Sequence, residues 1–131
     1  MTDARSDGAM PSVVAVVLTW NDTELTTQCL RSVLASDYPN LQVVLVDNGS
    51  IPARGPELSA AFPDVDLVQL ETNQGFSGGA NRGLERALEL EADYVHLIGN
   101  DATLAPETIR RLVETCEARP DIGAASPLLL D

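Results

Sequence analysis

The most constraining feature of this chain is an alternation of two patterns. Short apolar runs rich in valine, leucine and isoleucine take turns with stretches whose apolar residues recur at a helical period. Val13-Val-Ala-Val-Val-Leu18 offers no polar position to either side of a pleat. A strand of that kind must be covered on both faces, as in a parallel sheet clothed by helices. Leu41-Gln-Val-Val-Leu-Val46 reads as a second buried strand, Val65 to Leu70 as a third and Tyr94 to Ile98 as a fourth. Ile122 to Ser126 reads as the start of a fifth.

Helices fill the gaps. Asn21-Asp-Thr-Glu24 resembles a capping box with an asparagine cap, and Leu25, Cys29, Val33 and Leu34 form the apolar stripe that follows it. Pro56 suits the first turn of a short helix that ends near Phe62. A longer helix is expected from about Ser77 to Glu91, with Ala80, Leu84, Ala87 and Leu88 inward. Pro106 opens a last helix, with Ile109, Leu112, Val113 and Cys116 on its apolar face and Pro120 at its end. The order β-α-β-α-β-α-β-α-β predicts an α/β fold: three layers, α/β/α, around a mostly parallel sheet.

A length of 131 residues suits one domain. Residues 1–11 lack an apolar segment and read as a disordered tail rather than a secretory signal, leaving 12–131 as the domain. No run approaches the ~20 apolar residues that span a bilayer. Cys29 and Cys116 both fall on apolar stripes and read as small core residues rather than a disulfide or redox pair, so a cytoplasmic setting is expected. The 20 acidic and 8 basic side chains leave a formal charge of −12. That argues against a nucleic-acid surface and against a polybasic membrane patch. It leaves room for a nucleotide ligand, because a divalent metal bridges carboxylates to phosphates.

In an open parallel sheet, ligands sit beyond the carboxyl ends of the strands. Thr19, Trp20, Asn21 and Asp22 follow the first strand, and Asp47, Asn48, Gly49 and Ser50 the second. The turn from Asn73 to Gly79 follows the third strand, and Gly99, Asn100 and Asp101 the fourth. Polar groups from four strand ends thus converge on one edge of an apolar sheet, as a polar-ligand crevice requires. No G-x-x-x-x-G-K-[ST] is present, which excludes a P-loop. Asp47 is placed where dinucleotide folds hold a ribose, but the turn after the first strand has no glycine to cradle a pyrophosphate, which argues against NAD. The same turn lacks the glycine- and basic-rich loop of nucleotidyltransferases. Each motif also has a plainer reading. Asp47 can cap a turn, the glycines can serve a tight connection, Asp101 can close a turn, and Trp20 can pack. His96, mid-strand, reads as a hydrogen-bonded structural residue, and Gly83 within a helix suggests close packing.

Four segments, Val17-Leu-Thr-Trp-Asn21, Val44-Leu-Val-Asp-Asn-Gly-Ser50, Asn73-Gln-Gly-Phe-Ser-Gly-Gly-Ala-Asn-Arg-Gly83 and Leu97-Ile-Gly-Asn-Asp101, occur in this order and spacing. Together they resemble the donor half of family 2 glycosyltransferases, which have the GT-A (Rossmann-like) fold. The branch they most resemble includes bacterial rhamnosyltransferases and galactofuranosyltransferases of cell-surface polysaccharides. The resemblance covers about Ser12 to Asp131.

It implies a nucleoside-diphosphate sugar as donor, UDP- or dTDP-linked, and transfer of the sugar to an acceptor hydroxyl on a glycan or lipid-linked glycan. Thr19, Trp20 and Asn21 would line the nucleoside pocket, and Asp47 would accept hydrogen bonds from base or ribose. Asn73 and Gly75 would shape the loop over the nucleotide. Gly78 and Gly79 would let backbone approach the phosphates, and Asn81 would face the site. Asp101 matches the last acid of the family's D-x-D motif and would bind Mg2+ or Mn2+, with Asn100 beside it. The motif's first acid is Gly99 here, and Ala80 stands where many relatives have arginine.

The family continues into an acceptor-binding half that usually supplies the general base. This chain offers no candidate for it, and Asp131 is not assigned the role. On that reading the acceptor half is absent, and Leu128-Leu-Leu130 suits an apolar surface that would pair with a second copy or a partner chain. A non-catalytic nucleotide-sugar-binding or interaction module is the alternative. Relatives of this branch often act on lipid-linked acceptors at the inner face of the membrane, where peripheral attachment is the corresponding expectation.

Overall fold

The structure, a computed structural model, describes residues 10–129. Four strands form one fully parallel sheet: β1 (Val13–Thr19), β2 (Leu41–Asn48), β3 (Asp66–Leu70) and β4 (Tyr94–Gly99). Four helices alternate with them: α1 (Glu24–Leu34), α2 (Gly55–Ala61), α3 (Gly75–Glu89) and α4 (Thr108–Ala118). The strand order is β3-β2-β1-β4. The chain therefore steps outward from β1 to β3, then returns across the sheet to place β4 on the other side of β1. That reversal makes the carboxyl ends of β1 and β4 a topological switch point.

The register shows why β1 needs no polar residue. Ala15 and Val17 face one side, with Cys29, Leu30 and Val33 of α1, Leu58 of α2, and Val43 and Leu45 of β2. Val14, Val16 and Leu18 face the other, with Ala80 and Ala87 of α3, and Val44 and Val46. Ile109 and Val113 of α4 close over Val13 and Tyr38. The three-layer architecture is the expected one, with α1, α2 and α4 on one face and α3 on the other.

Several details differ from expectation. Residues 122–126 form no strand, so four strands are described rather than five. This segment instead lies beside β4, where Gly123, Ala124 and Ala125 share a groove with Tyr94, Val95 and His96. On α1 the buried residues are Thr26, Cys29, Leu30 and Val33, while Leu25 and Leu34 are exposed. The stripe is rotated toward a threonine because Thr26 is needed in a buried polar network described below. The N-cap position of α1 is Thr23, whose side chain makes no capping bond; the residue before it, Asp22, accepts the Leu25 N–H on Oδ1 at 3.0 Å, and Asn21 is not the cap. Cys29 is buried, Cys116 is half-buried, and both thiols are free. His96 is half-buried and has no hydrogen-bond partner among the described residues, and burial holds its pKa below the usual imidazole value. Met10 and Pro11 belong with the folded part. Their carbonyls accept hydrogen bonds from Asn40 Nδ2 and the Tyr38 hydroxyl. Residues 1–9, the rest of the expected tail, lie outside the described residues, as do Leu130 and Asp131.

Helix α3 buries Ala80 and Ala87 as expected, but glycines rather than leucines complete its inward face. Gly79, Ala80, Gly83 and Ala87 are buried, whereas Leu88 is exposed. Small residues let the helix backbone sit close to β1 and β2. A Cβ on Gly83 would stand 2.3 Å from Val16 Cγ1 and 3.1 Å from Val46 Cγ2. Both neighbours are β-branched side chains in a packed core and have little freedom to move. Alanine favours a helix over glycine by about 1 kcal/mol, but overpacking costs about 1–3 kcal/mol. Gly83→Ala is therefore expected to destabilise the fold by about 1–2 kcal/mol. Urea unfolding checks this, and a variant as stable as the parent would mean that α3 is not seated so closely.

Candidate functional site

The carboxyl edge of the sheet gathers the loops that follow all four strands, and three buried hydrogen-bond networks hold them. The first centres on Asp47 at the end of β2, which is fully buried. Its Oδ1 accepts the Ser50 backbone N–H at 3.1 Å and the Ser50 hydroxyl at 2.6 Å. Its Oδ2 accepts the Arg54 and Gly55 N–H groups at 2.7 and 3.0 Å. Ser50 Oγ in turn accepts the Asn21 N–H at 2.7 Å, and Asn21 Oδ1 accepts the Ile51 N–H at 2.9 Å. Asn21 sits at φ 54°, a left-handed conformation that asparagine tolerates better than most residues. Asp47 thus fixes the 50–55 loop and, through Ser50, the turn that carries Trp20 and Asn21.

The second network clamps the glycine-rich turn. Asn48 Oδ1 accepts the Gln74 N–H, and Asn48 Nδ2 donates to the Gly75 carbonyl, both at 2.9 Å. Asn73 Oδ1 accepts the Gly75 N–H at 2.7 Å. Gly75 has φ +75°, with open space where a side chain would be. The third network joins β1, α1 and β4. Thr19 and Thr26 hydroxyls lie 2.7 Å apart, both reach the Asp22 carbonyl, and Asn100 Nδ2 donates to Thr26 Oγ1 at 3.0 Å.

These networks divide the expected site residues into two groups. Trp20, Asn21, Asn73, Gly75, Asn81 and Asp101 are exposed, and Gly78 and Asn100 are partly so. Thr19, Asp47 and Gly79 are buried and face neighbouring protein groups rather than the crevice. The Thr19 hydroxyl is spent on Thr26 and Asp22, and both Asp47 oxygens are spent on the 50–55 loop. Gly79 uses its missing side chain for packing, since a Cβ there would meet Asn48 Nδ2 at 2.8 Å and Leu18 Cδ2 at 3.0 Å. In this conformation the three support the site from beneath rather than line it. Asn48, Ser50 and Thr26 carry equal weight and were not singled out from the sequence. The first two lie inside a quoted motif, whereas Thr26 carries no sequence signal beyond its place on a helix.

Among the aromatic side chains only Trp20, 54% exposed, and Phe76, 65% exposed, stand open to solvent, and both are at this edge. Asp101 accepts no hydrogen bond and forms no ion pair among the described residues. Its Oδ1 lies 3.1 Å from where a Gly99 Cβ would be, so the carboxylate occupies space that a side chain at 99 would contest. No cluster of three or more His, Cys, Asp or Glu able to hold a metal exists among the described residues. A cation here would take one protein carboxylate, with Asn100 Oδ1 free of donors beside it. That donor set suits Mg2+ or Mn2+ bound chiefly through ligand phosphates.

Comparisons with known proteins place the chain among relatives. A family model described as "Glycosyl transferase family 2" matches residues 14–127. The succinoglycan biosynthesis protein ExoO of Rhizobium meliloti is 32% identical over 111 residues, which are 83% of this chain and 31% of that protein. The glucosyl-dolichyl phosphate glucuronosyltransferase of Haloferax volcanii is 33% identical over 116 residues, 86% of this chain and 36% of its own length. Among solved structures, the mannosyltransferase PcManGT from Pyrobaculum calidifontis, in complex with GDP-Man and Mn2+, matches at a TM-score of 0.75 and 27% identity. That match covers 88% of this chain and 35% of the other. The chain thus spans about a third of the length of these relatives. No helix among the described residues is long and apolar enough to cross a membrane.

Burial pushes the Asp47 carboxyl up. Hydrogen bonds from the Ser50 side chain, the Arg54 backbone, the Gln69 side chain and the Ser50 backbone outweigh it and leave the pKa below the ordinary carboxylate value. A carboxyl held below its unfolded-state value stabilises the fold above about pH 4, and that contribution fades as pH falls through the folded-state value. Asp47→Ala is therefore expected to cost about 3 kcal/mol at neutral pH, because it orphans buried N–H donors. The gap to the parent should narrow on acidification below about pH 4. Denaturation across pH checks this, and a gap independent of pH would show that the charge is not its source.

Proposed function

Since the chain belongs to glycosyl transferase family 2, we propose that its carboxyl edge holds a nucleoside-diphosphate sugar and presents it for transfer to an acceptor hydroxyl. The observation that carries this reading is the convergence of the four strand-end loops, held by three hydrogen-bond networks between them, on one exposed polar edge. Trp20 offers a flat apolar face to the nucleoside, with Asn21 beside it. Asn73 and Gly75 shape the loop over the nucleotide. The amino end of α3, where a Cβ on Gly78 would meet Gln74 Cβ at 2.7 Å, turns N–H groups toward the diphosphate, and Asn81 one turn further on adds an amide. Asp101, with Asn100, would hold Mg2+ or Mn2+, which when bound supplies a Lewis acid for the charge developing on the leaving diphosphate.

In the transfer, a bond forms from the acceptor oxygen to the anomeric carbon as the bond from that carbon to the diphosphate oxygen breaks with its electron pair, and the acceptor hydroxyl gives up its proton to a general base. The chain's residues contribute by holding the donor in place and stabilising the leaving group. No residue of this chain is assigned as the general base. The finer reading, a rhamnosyl- or galactofuranosyl-transferring enzyme of cell-surface glycan synthesis using a UDP- or dTDP-linked donor at the cytoplasmic face of the membrane, rests on the four motifs quoted above.

Trp20 is the single tryptophan, so its fluorescence reports on the crevice directly. Titration with UDP, dTDP and GDP, with and without Mn2+, is expected to change that emission for one base more tightly than the others. Asp101→Ala should lose the Mn2+-dependent gain, by about 10-fold or more in affinity. A folded chain that binds none of the three would overturn the donor-site reading.

A second reading is favoured by the outer edge of β4. Val95 and Leu97 are 38% and 40% exposed there, and Leu128 and Leu129 are exposed nearby. It makes the chain a donor-binding module that associates with a second copy through this edge. Sedimentation velocity is then expected to show dimers at high concentration, and a strict monomer would remove the idea.

A further inference from the structure

Helix α1 carries three polar side chains on one stripe, Thr26, Cys29 and Ser32, and all three reach the segment that follows β4. Thr26 Oγ1 accepts Asn100 Nδ2 at 3.0 Å. The Cys29 thiol points at the Gly99 carbonyl at 3.7 Å. Ser32 Oγ accepts the Leu104 N–H at 3.0 Å while its own proton goes to the Cys29 carbonyl at 2.8 Å. Thr26 and Cys29 are fully buried. Burial pushes the Cys29 pKa up to about 11, and the charge of Asp101 adds to this, so the thiol stays protonated and remains a donor.

Proton counting tightens the arrangement at Thr26. Two hydroxyl protons, from Thr19 and Thr26, must serve the Thr19–Thr26 contact and the Asp22 carbonyl. Either Thr26 donates to Asp22 while Thr19 donates to Thr26, or Thr19 donates to Asp22 while Thr26 donates to Thr19. In both, Thr26 keeps a lone pair for the Asn100 amide. A valine at 26 would fill nearly the same space but could not accept that amide. A serine could.

Asp101 sits between these fastenings and has no hydrogen bond of its own among the described residues. Its place is therefore set by the backbone on either side. We propose that the Thr26–Cys29–Ser32 stripe of α1 positions the Gly99–Leu104 segment so that Asp101 meets a cation bound with a nucleoside diphosphate. These are positioning residues; they touch neither metal nor ligand. The inference rests on the donor-site reading above.

The test compares the parent with Thr26→Val, Thr26→Ser and Ser32→Ala, each titrated with UDP, dTDP and GDP with and without Mn2+. Metal-free nucleotide affinity is expected to stay at the parent's value in Ser32→Ala, whose hydroxyl contacts only Cys29 and Leu104 among the described residues, and the Mn2+ gain of each variant is read against its own metal-free affinity. The Mn2+-dependent gain should fall about 10-fold or more in Thr26→Val, return in Thr26→Ser and weaken in Ser32→Ala. If Thr26→Val does not fold, Ser32→Ala, which alters a half-buried hydroxyl, carries the test. Variants that keep the parent's Mn2+ gain, or a Thr26→Ser that does not restore it, overturn the positioning role alone. A parent that binds no nucleotide, or gains nothing from Mn2+, overturns the donor-site reading and this inference together.

Discussion

Covering β1 on both faces is the constraint from which the rest follows. Seven consecutive buried positions leave β1 no solvent side, so one helix layer must lie on each face. The chain can supply the second layer only by returning across the sheet. That return is α3, and it places β4 beside β1 rather than beyond β3. The switch point at the β1–β4 junction is thus a consequence of burying both faces of one strand. The close seat of α3 belongs to the same solution. Glycines at 79 and 83 bring its backbone down onto Val16, Leu18 and Asn48, and so bring its amino end to the sheet edge.

The loops at that edge are then fixed by a small set of buried polar side chains. Buried polar groups demand partners, and fully satisfied networks specify one geometry more sharply than apolar packing does. Asp47, Asn48 and Thr26 each bridge elements that are distant in sequence. Asp47 holds the 50–55 loop, Asn48 holds the 74–75 turn and Thr26 holds Asn100. The buried members carry no exposed chemistry, whereas among the exposed members Asn21 and Asn73 also hold the Ile51 and Gly75 N–H groups. Trp20, Phe76 and Asp101 are open because their neighbours do the holding.

Much of the fold was legible in the sequence because the signal was periodic. Unbroken apolar runs gave the strands, and Pro56, Pro106 and Pro120 bracketed helices. The faces of the helices were less legible. Leucine was expected inward at 25, 34 and 88, yet all three are exposed. Threonine 26 and glycines 79 and 83 face inward because the partner surface decides the face, and that surface is a tertiary property. A strand was expected at 122–126, but only Ile122 there is a β-former, and the segment lies beside β4 without pairing. The site divided in the same way. Motifs located its candidate residues at the carboxyl edge of the sheet, but no motif separates an exposed carboxylate from one whose bonds are internal, as at Asp47.

Charge supplies the last step. Every basic residue is an arginine, and Arg54, Arg82, Arg86, Arg110 and Arg119 each pair with a carboxylate. The acidic surplus of −12 leaves little positive field to draw in a diphosphate. Under the proposed reading, the negative charge of the donor must be met at short range, by the N–H groups at the start of α3 and by a divalent cation. A lone carboxylate at the end of β4 is enough for that purpose, because the phosphates bring the remaining oxygens themselves. Such a site is made with its ligand rather than before it. The protein's task is then to hold one carboxylate still, and with no hydrogen bond to the Asp101 side chain among the described residues, that task passes to the α1 stripe beneath it.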